Sequence, residues 1–250
     1  AHQVKIVKRT EGWQGTLELQ AFQVPNGQFQ PPPALPSRKL LCIGDSITAG
    51  SGTDVKDLVD TRKDSYTSNG RLSYAYRLAD RLDAQVHLIA FGGRGLIRDW
   101  QGKTDTGTAP QYYERTLATN TNYQWDQSRY QPDAISICLG TNDFNPGIIP
   151  PNEYSEAYAS FVRKLHQDHP KAKIFLLGSP MFGQGDLRDS LNEAIDLTIQ
   201  KVEELEGLTI TKVDVGYYPG RPNVDSHPVS SEHRRIATEL EPVFRQVLGW

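Results

Sequence analysis

The sequence predicts an α/β fold, a doubly wound layer sandwich with helices on both faces of a parallel sheet. Three observations predict it. Five short apolar runs recur after Ser37, segments of helical period lie between or after them, and most of the runs lack strict alternation. Strands buried on both faces of a parallel sheet read as near-continuous apolar stretches, and β-α alternation brings right-handed crossovers.

In chain order the apolar runs are Lys39–Ile43, Val86–Ala90, Ala134–Leu139, Ile174–Leu177 and Leu208–Thr211. The helical segments are Leu72–Leu82, Tyr154–Leu165, Leu187–Leu205 and Ser231–Leu248. Pro242 lacks an N–H and should bend or interrupt the last of them. Between the second and third runs, Arg98–Pro132 is polar and aromatic without periodicity, and is expected to be a functional loop reaching the carboxyl edge of the sheet.

The chain before Ser37 has a different character. Val4–Val7 is a short apolar run, and Thr16–Val24 alternates with the period of a half-buried strand. Pro25-Asn26-Gly27 closes it as a turn, and Pro31-Pro32-Pro33 with Pro36 makes a stiff linker. Two strands are not a domain, because an isolated hairpin is marginal in water. The expected division is therefore 1–37, a β-rich remnant and linker, and 38–250, the α/β domain. About two strands of the first piece should pack on the second or be completed by a separate polypeptide.

Composition removes several classes. Lys+Arg 27 against Asp+Glu 30 leaves −3 with no basic block, which argues against nucleic acid or an anionic membrane surface as partner. No apolar run approaches the roughly 18–20 residues of a spanning helix. Cys42 and Cys138 are expected to be buried free thiols, and no Cys/His cluster has zinc spacing, so neither metal nor cofactor is expected. A chain that begins at Ala1 and has Met181 as its one methionine reads as a processed or truncated product.

Three strands end in unusual polar motifs: Gly44-Asp45-Ser46-Ile47-Thr48, Phe91-Gly92-Gly93-Arg94-Gly95 and Gly140-Thr141-Asn142-Asp143. On an open α/β sheet all three converge on one crevice. Asp225-Ser226-His227-Pro228 precedes the last helix. Together they offer a nucleophile, hydrogen-bond donors and an acid–histidine pair. Ser46 either N-caps a helix or, with the other blocks, serves as nucleophile activated by His227. His227 would act as general base and then as the acid that protonates the leaving alcohol. The other histidines lack such a setting: His87 lies in an apolar strand, His166 and His169 at a helix end, and His2 and His233 on expected surfaces. Asp45 and Asp143 are expected to hold loops through backbone hydrogen bonds. Trp100, Trp125, Tyr112 and Tyr113 could form a platform against a sugar ring or simply pack the long loop.

These blocks, in this order, resemble the SGNH/GDSL hydrolase superfamily from Arg38 to the C-terminus. Val7-Lys8-Arg9-Thr10-Glu11, the Pro-rich linker, Gly93-Arg94-Gly95-Leu96 and Trp125 ahead of Pro132-Asp133 are similar to the family 2 carbohydrate esterases. The resemblance implies a three-layer α/β/α sandwich with a five-stranded, flavodoxin-like parallel sheet, preceded by the last strands of a jelly-roll domain. It implies a secreted serine esterase that removes acetyl groups from plant polysaccharides. It also implies an oxyanion hole formed by the N–H groups of Ser46 and Gly93 and the amide of Asn142, with Gly92 as the alternative to Gly93. Asp225 would orient His227, although the superfamily usually separates Asp and His by three residues. That position is Val224 here, which cannot serve, and a backbone carbonyl could take part of the role. The alternatives are a lipase, arylesterase or thioesterase, and a carbohydrate-binding protein without catalysis. No G-x-S-x-G elbow is present, which sets aside an α/β-hydrolase.

Overall fold

The five apolar runs form the strands of one parallel sheet. The computed structural model describes residues 2–55, 64–206 and 208–250; Ala1, where the expected N-terminal piece begins, lies outside them. In chain order the strands are β1 (Arg38–Gly44), β2 (Ala84–Ala90), β3 (Arg115–Leu117), β4 (Asn120–Gln124), β5 (Ala134–Cys138), β6 (Lys173–Leu177) and β7 (Ile210–Val213). The sheet runs β2-β1-β5-β6-β7, and β3-β4 is a separate antiparallel pair. The helices are α1 (Ser46–Ala49), α2 (Asp64–Thr67), α3 (Tyr74–Arg81), α4 (Ala109–Tyr113), α5 (Thr141–Phe144), α6 (Pro151–Asp168), α7 (Asp186–Glu206) and α8 (Ser230–Leu248).

Alternation along β1 explains how one apolar run serves two cores. Leu41 and Ile43 join a cluster with Tyr154 and Phe161 of α6 and Leu191 of α7. Leu40 and Cys42 face the other way, into a cluster with Tyr74 and Leu78 of α3 and Phe244 of α8. Phe175 of β6 stacks on Phe244 with ring centroids 3.8 Å apart. Each such buried side chain contributes about 1.5–3 kcal/mol over its exposed state. Cys42 and Cys138 are buried and free, and burial pushes the Cys42 thiol up to about 12, so it stays an apolar filler.

Chain entry into the sheet's upper edge is equally local. The sheet order reverses between β1, whose other neighbour is β2, and β5, and the crevice of a doubly wound sheet opens at that reversal. Pro150 and Pro151 start α6 where no N–H partner is needed, and Gly249 closes α8 in the left-handed conformation. Among the described residues no helix is long and apolar enough to cross a membrane.

Four expectations need correction. Arg98–Pro132 is not structureless: it carries α4 and the β3-β4 pair. α8 runs through Pro242 without interruption. His233 is fully buried rather than on the surface; its Nδ1 accepts the Tyr74 N–H at 3.0 Å, and burial pushes its pKa down to about 3. The N-terminal strands do not form among the described residues. Thr16–Val24 is unpaired and exposes Leu17, Leu19, Phe22 and Val24. Its alternation is that of a strand, but a ladder needs a partner strand and none of the described residues supplies one. The piece therefore finds no support as strands packed on the sheet or completed by a second polypeptide. What packs instead is the hook from Lys8 to Gln14, with a 3-10 turn at Gly12–Gln14.

Candidate active site

β1, β2 and β5 end beside one another, so the motifs that follow them share one cleft of about 990 Å³. Ser46, Gly92, Gly93, Asn142, Asp225 and His227 all line it. Asp45 caps α1, its Oδ1 accepting the Ile47 N–H at 2.9 Å, and this fixes the turn that presents Ser46.

Ser46 Oγ and His227 Nε2 are 2.7 Å apart, and His227 Nδ1 lies 2.9 Å from the Val224 carbonyl oxygen. A carbonyl only accepts, so Nδ1 carries the proton. Nε2 of the neutral ring is then the acceptor, and the serine hydroxyl donates to it. This is the ground-state geometry of a nucleophile with its base.

The expected hydrogen bond from Asp225 to His227 is not made. Asp225 and Ser226 both adopt left-handed φ values, 49° and 59°, in a tight turn closed by Ser226 N–H to Arg221 O at 3.0 Å. That turn leaves the Asp225 side chain exposed on the cleft wall and points the Val224 carbonyl at the imidazole. Val224, expected not to serve, is a correction: it meets the imidazole through its main-chain carbonyl.

The other donors are positioned by buried carboxyls. Asn142 Nδ2 donates to Asp45 Oδ2 at 3.1 Å and to Arg94 O at 3.0 Å. Asp45 is fully buried, and that burial, opposed by the Ile47 N–H and reinforced by Asp143 and Glu11, raises its pKa to about 7. Asp143 accepts the N–H groups of Leu96 (2.9 Å), Ile97 (2.8 Å) and Arg98 (3.2 Å), together with the Tyr154 hydroxyl at 3.3 Å. One carboxyl of β5's loop therefore pins the loop after β2. In that loop Arg94 N–H closes a turn to Phe91 O at 3.3 Å. Gly93 has a φ of 76°, which favours glycine, and its carbonyl accepts the Trp100 N–H at 3.0 Å.

The four aromatic residues proposed for sugar contact separate. Trp100 lines the cleft and is 53% exposed. Trp125 faces a different groove, edge-on to His87 with Arg129 over its ring. Tyr112 and Tyr113 are buried core residues, a correction with a clear cause: α4 turns both inward. The Tyr112 hydroxyl donates to Gly44 O at 2.8 Å and that of Tyr113 to Asp168 Oδ2 at 2.8 Å.

Two residues were missed as contributors to the site. Glu11 and Trp13 of the N-terminal hook line the same cleft. Ser68 Oγ donates to Glu11 Oε1 at 3.2 Å, and Glu11 is only 3% exposed. Burial raises its pKa, against the neighbouring Trp13, His227, Ser51 and Ser68. Val7–Glu11 carries a family resemblance in the sequence, but nothing in its composition says that it folds back across the strand ends.

The GDSL-like Lipase/Acylhydrolase family matches residues 42–230. This chain belongs to that family. It is 40% identical, over its whole length and 68% of the relative, to an acetylxylan esterase / glucomannan deacetylase of Cellvibrio japonicus. It is 29% identical to the cellulase/esterase CelE of Acetivibrio thermocellus, covering 30% of that protein. The solved structure of a family two carbohydrate esterase from Cellvibrio japonicus superposes with a TM-score of 0.83 at 41% identity, over 90% of this chain and 65% of that one. A family two carbohydrate esterase from Clostridium thermocellum, in complex with cellohexaose, superposes with a TM-score of 0.82 at 26% identity, over 90% and 69%. This GDSL-like chain thus spans about two thirds or less of each relative. The five-stranded parallel sheet and its helices match the fold of those esterases.

Proposed function

We propose that this GDSL-like acylhydrolase is a serine esterase that removes O-acetyl groups from plant cell-wall polysaccharide, xylan or glucomannan. The observation that carries the reading is the 2.7 Å contact between Ser46 Oγ and His227 Nε2 at the floor of an open cleft. His227 takes the Ser46 proton as the oxygen attacks the acetyl carbonyl. The oxyanion faces the N–H groups of Ser46 and Gly93 and the Asn142 amide; the amide reaches it with the hydrogen that Arg94 O otherwise accepts. Collapse expels the sugar alkoxide, which His227 protonates, leaving an acetyl-Ser46 ester. Water, deprotonated by His227, attacks that ester and releases acetate. Val224 O orients the imidazole throughout, so the working unit is a serine–histidine pair with a main-chain support. An extracellular location goes with such a substrate.

The lipase alternative is disfavoured by Arg94, Asp99, Gln101, Lys103 and Asn145, polar groups that stand on the cleft wall among Trp13, Phe91, Trp100 and Met181. The experiment is an acyl-length series of 4-nitrophenyl esters. We expect kcat/KM to fall at least about tenfold from acetate to octanoate, since the added methylenes meet polar groups on the wall that burial would desolvate. An optimum at butyrate or longer would replace the acetylesterase reading with a lipase one.

A further inference from the structure

We propose that Trp13 is a carbohydrate platform of the catalytic cleft, held there by the buried Glu11, and that a sugar ring of the acetylated substrate stacks on its indole. The proposal deepens the esterase reading of the same cleft and rests on it. Trp13 is 50% exposed and stands on the cleft wall with Trp100. The two indoles flank the loop at the end of β2. A Cβ on Gly92 would lie 3.1 Å from Trp13 Nε1, and one on Gly93 would lie 3.0 Å from Trp100 Cδ1. They therefore stand on consecutive residues, beside the N–H groups aimed at the reacting carbonyl. A large indole left in water at such a place is an unmade contact. Its flat face complements the C–H face of a pyranose, while its N–H is turned toward the Glu11 carboxyl.

The hook is built to hold that ring. Gly70 N–H donates to Arg9 O at 3.0 Å, Arg9 pairs with Asp54 at 3.0 Å, and Lys8 Nζ donates to Glu11 O at 2.6 Å. Gln14 Oε1 accepts the Glu11 N–H at 2.9 Å, closing the turn that carries Trp13. Within the turn the Glu11 carboxyl points inward. Its Oε2 is sealed from solvent, beside the Trp13 and Ser51 side chains but without a well-aligned donor. A Cβ on Gly92 would come within 2.2 Å of that oxygen, so glycine is what admits the carboxyl. Burying a carboxyl is costly, and the segments on either side of the hook, near Val4 and Leu17, are exposed. The carboxyl tethers the one stretch that reaches the cleft. Glu11 is thus a positioning residue and Trp13 the group that meets the sugar.

The test compares full-length wild type, Trp13→Leu, which keeps apolar bulk without the ring, Trp13→Phe and Glu11→Gln. The substrates are acetylated xylo- and manno-oligosaccharides and 4-nitrophenyl acetate. The expected result is that Trp13→Leu raises KM for the oligosaccharide at least tenfold more than KM for 4-nitrophenyl acetate, with kcat falling less than KM rises. Trp13→Phe recovers most of the loss, and Glu11→Gln moves KM in the same direction by less. Equal effects on both esters, or no change in oligosaccharide KM, overturn the proposal. Binding of xylohexaose and mannohexaose to Ser46→Ala, with and without Trp13→Leu, reads the platform without catalysis. A tenfold weaker affinity in the double variant supports it; equal affinity, or no binding of either sugar to Ser46→Ala, overturns it. A wild type that releases no acetate while Ser46→Ala binds sugar through Trp13 would sink the esterase reading and leave the platform standing.

Discussion

Ser46→Ala lowers kcat/KM for 4-nitrophenyl acetate by about 10⁴-fold or more, with the circular dichroism spectrum unchanged. In the proposed mechanism the hydroxyl is the attacking group, and among the described residues it is Ser46 Oγ that bonds His227 Nε2, whereas Thr141 pairs with Ser179 at 2.7 Å and Cys42 and Cys138 are buried. His227→Ala costs a comparable factor, and the double variant costs little more than either single one, because the two act as a unit. Asp225→Asn separates the pair from a triad. Where an aspartate holds the catalytic histidine, its conversion to asparagine costs about 10⁴ in kcat. Here Val224 O makes that contact at 2.9 Å, so a loss of less than about tenfold on this small ester is expected. A loss of thousands would show that Asp225 moves onto Nδ1 during the reaction. Unchanged activity in Ser46→Ala would remove the serine mechanism altogether.

Asp143→Ala should destabilise the fold strongly. Its carboxyl is buried and is the acceptor for three consecutive backbone N–H groups, Leu96 to Arg98, and for the Tyr154 hydroxyl. An orphaned buried donor costs about 1–3 kcal/mol, so a total loss near 3–5 kcal/mol is expected after water enters part of the gap. Gly95 fits against the same carboxyl, where a Cβ would lie 2.2 Å from Oδ2, so the surrounding chain is shaped to it. Denaturant unfolding gives the change directly, with the midpoint falling and the slope unchanged. Activity should fall as well at temperatures where the protein remains folded, because Asp143 carries the loop of Gly92 and Gly93. A destabilisation below about 1 kcal/mol would mean that the loop is held by its own turns.

How legible this was depended on whether a feature is local. The five strands follow from near-continuous apolar runs, and the meeting of Ser46, Gly93 and Asn142 in one cleft follows because strand ends converge in such sheets. Tyr112 and Tyr113 were not legible. An aromatic pair in a polar stretch reads alike whether it faces sugar or core, and a five-residue helix is too short for its period to decide. His233 was hidden for a related reason: one histidine on an amphipathic helix gives no sign that its ring lies against Tyr74. The Thr16–Val24 alternation is real, yet pairing is a property of a second strand and not of the segment itself. That a carbonyl could support His227 was legible, but not that it is Val224's, because every residue has one. Only the two left-handed residues after it aim that carbonyl at the ring. Glu11 and Trp13 meet the cleft through contacts more than thirty residues distant along the chain, which no local pattern reports.

Deacetylation of polysaccharide in the Ser46–His227 cleft is measured as acetate release. Acetylated xylan and acetylated glucomannan are each incubated with wild type and with Ser46→Ala, and free acetate is quantified over time. Steady release by wild type is expected on at least one of the two polymers, and none above buffer by Ser46→Ala. No release from either polymer by a wild type that hydrolyses 4-nitrophenyl acetate, or equal release by the two proteins, would contradict the proposed deacetylation.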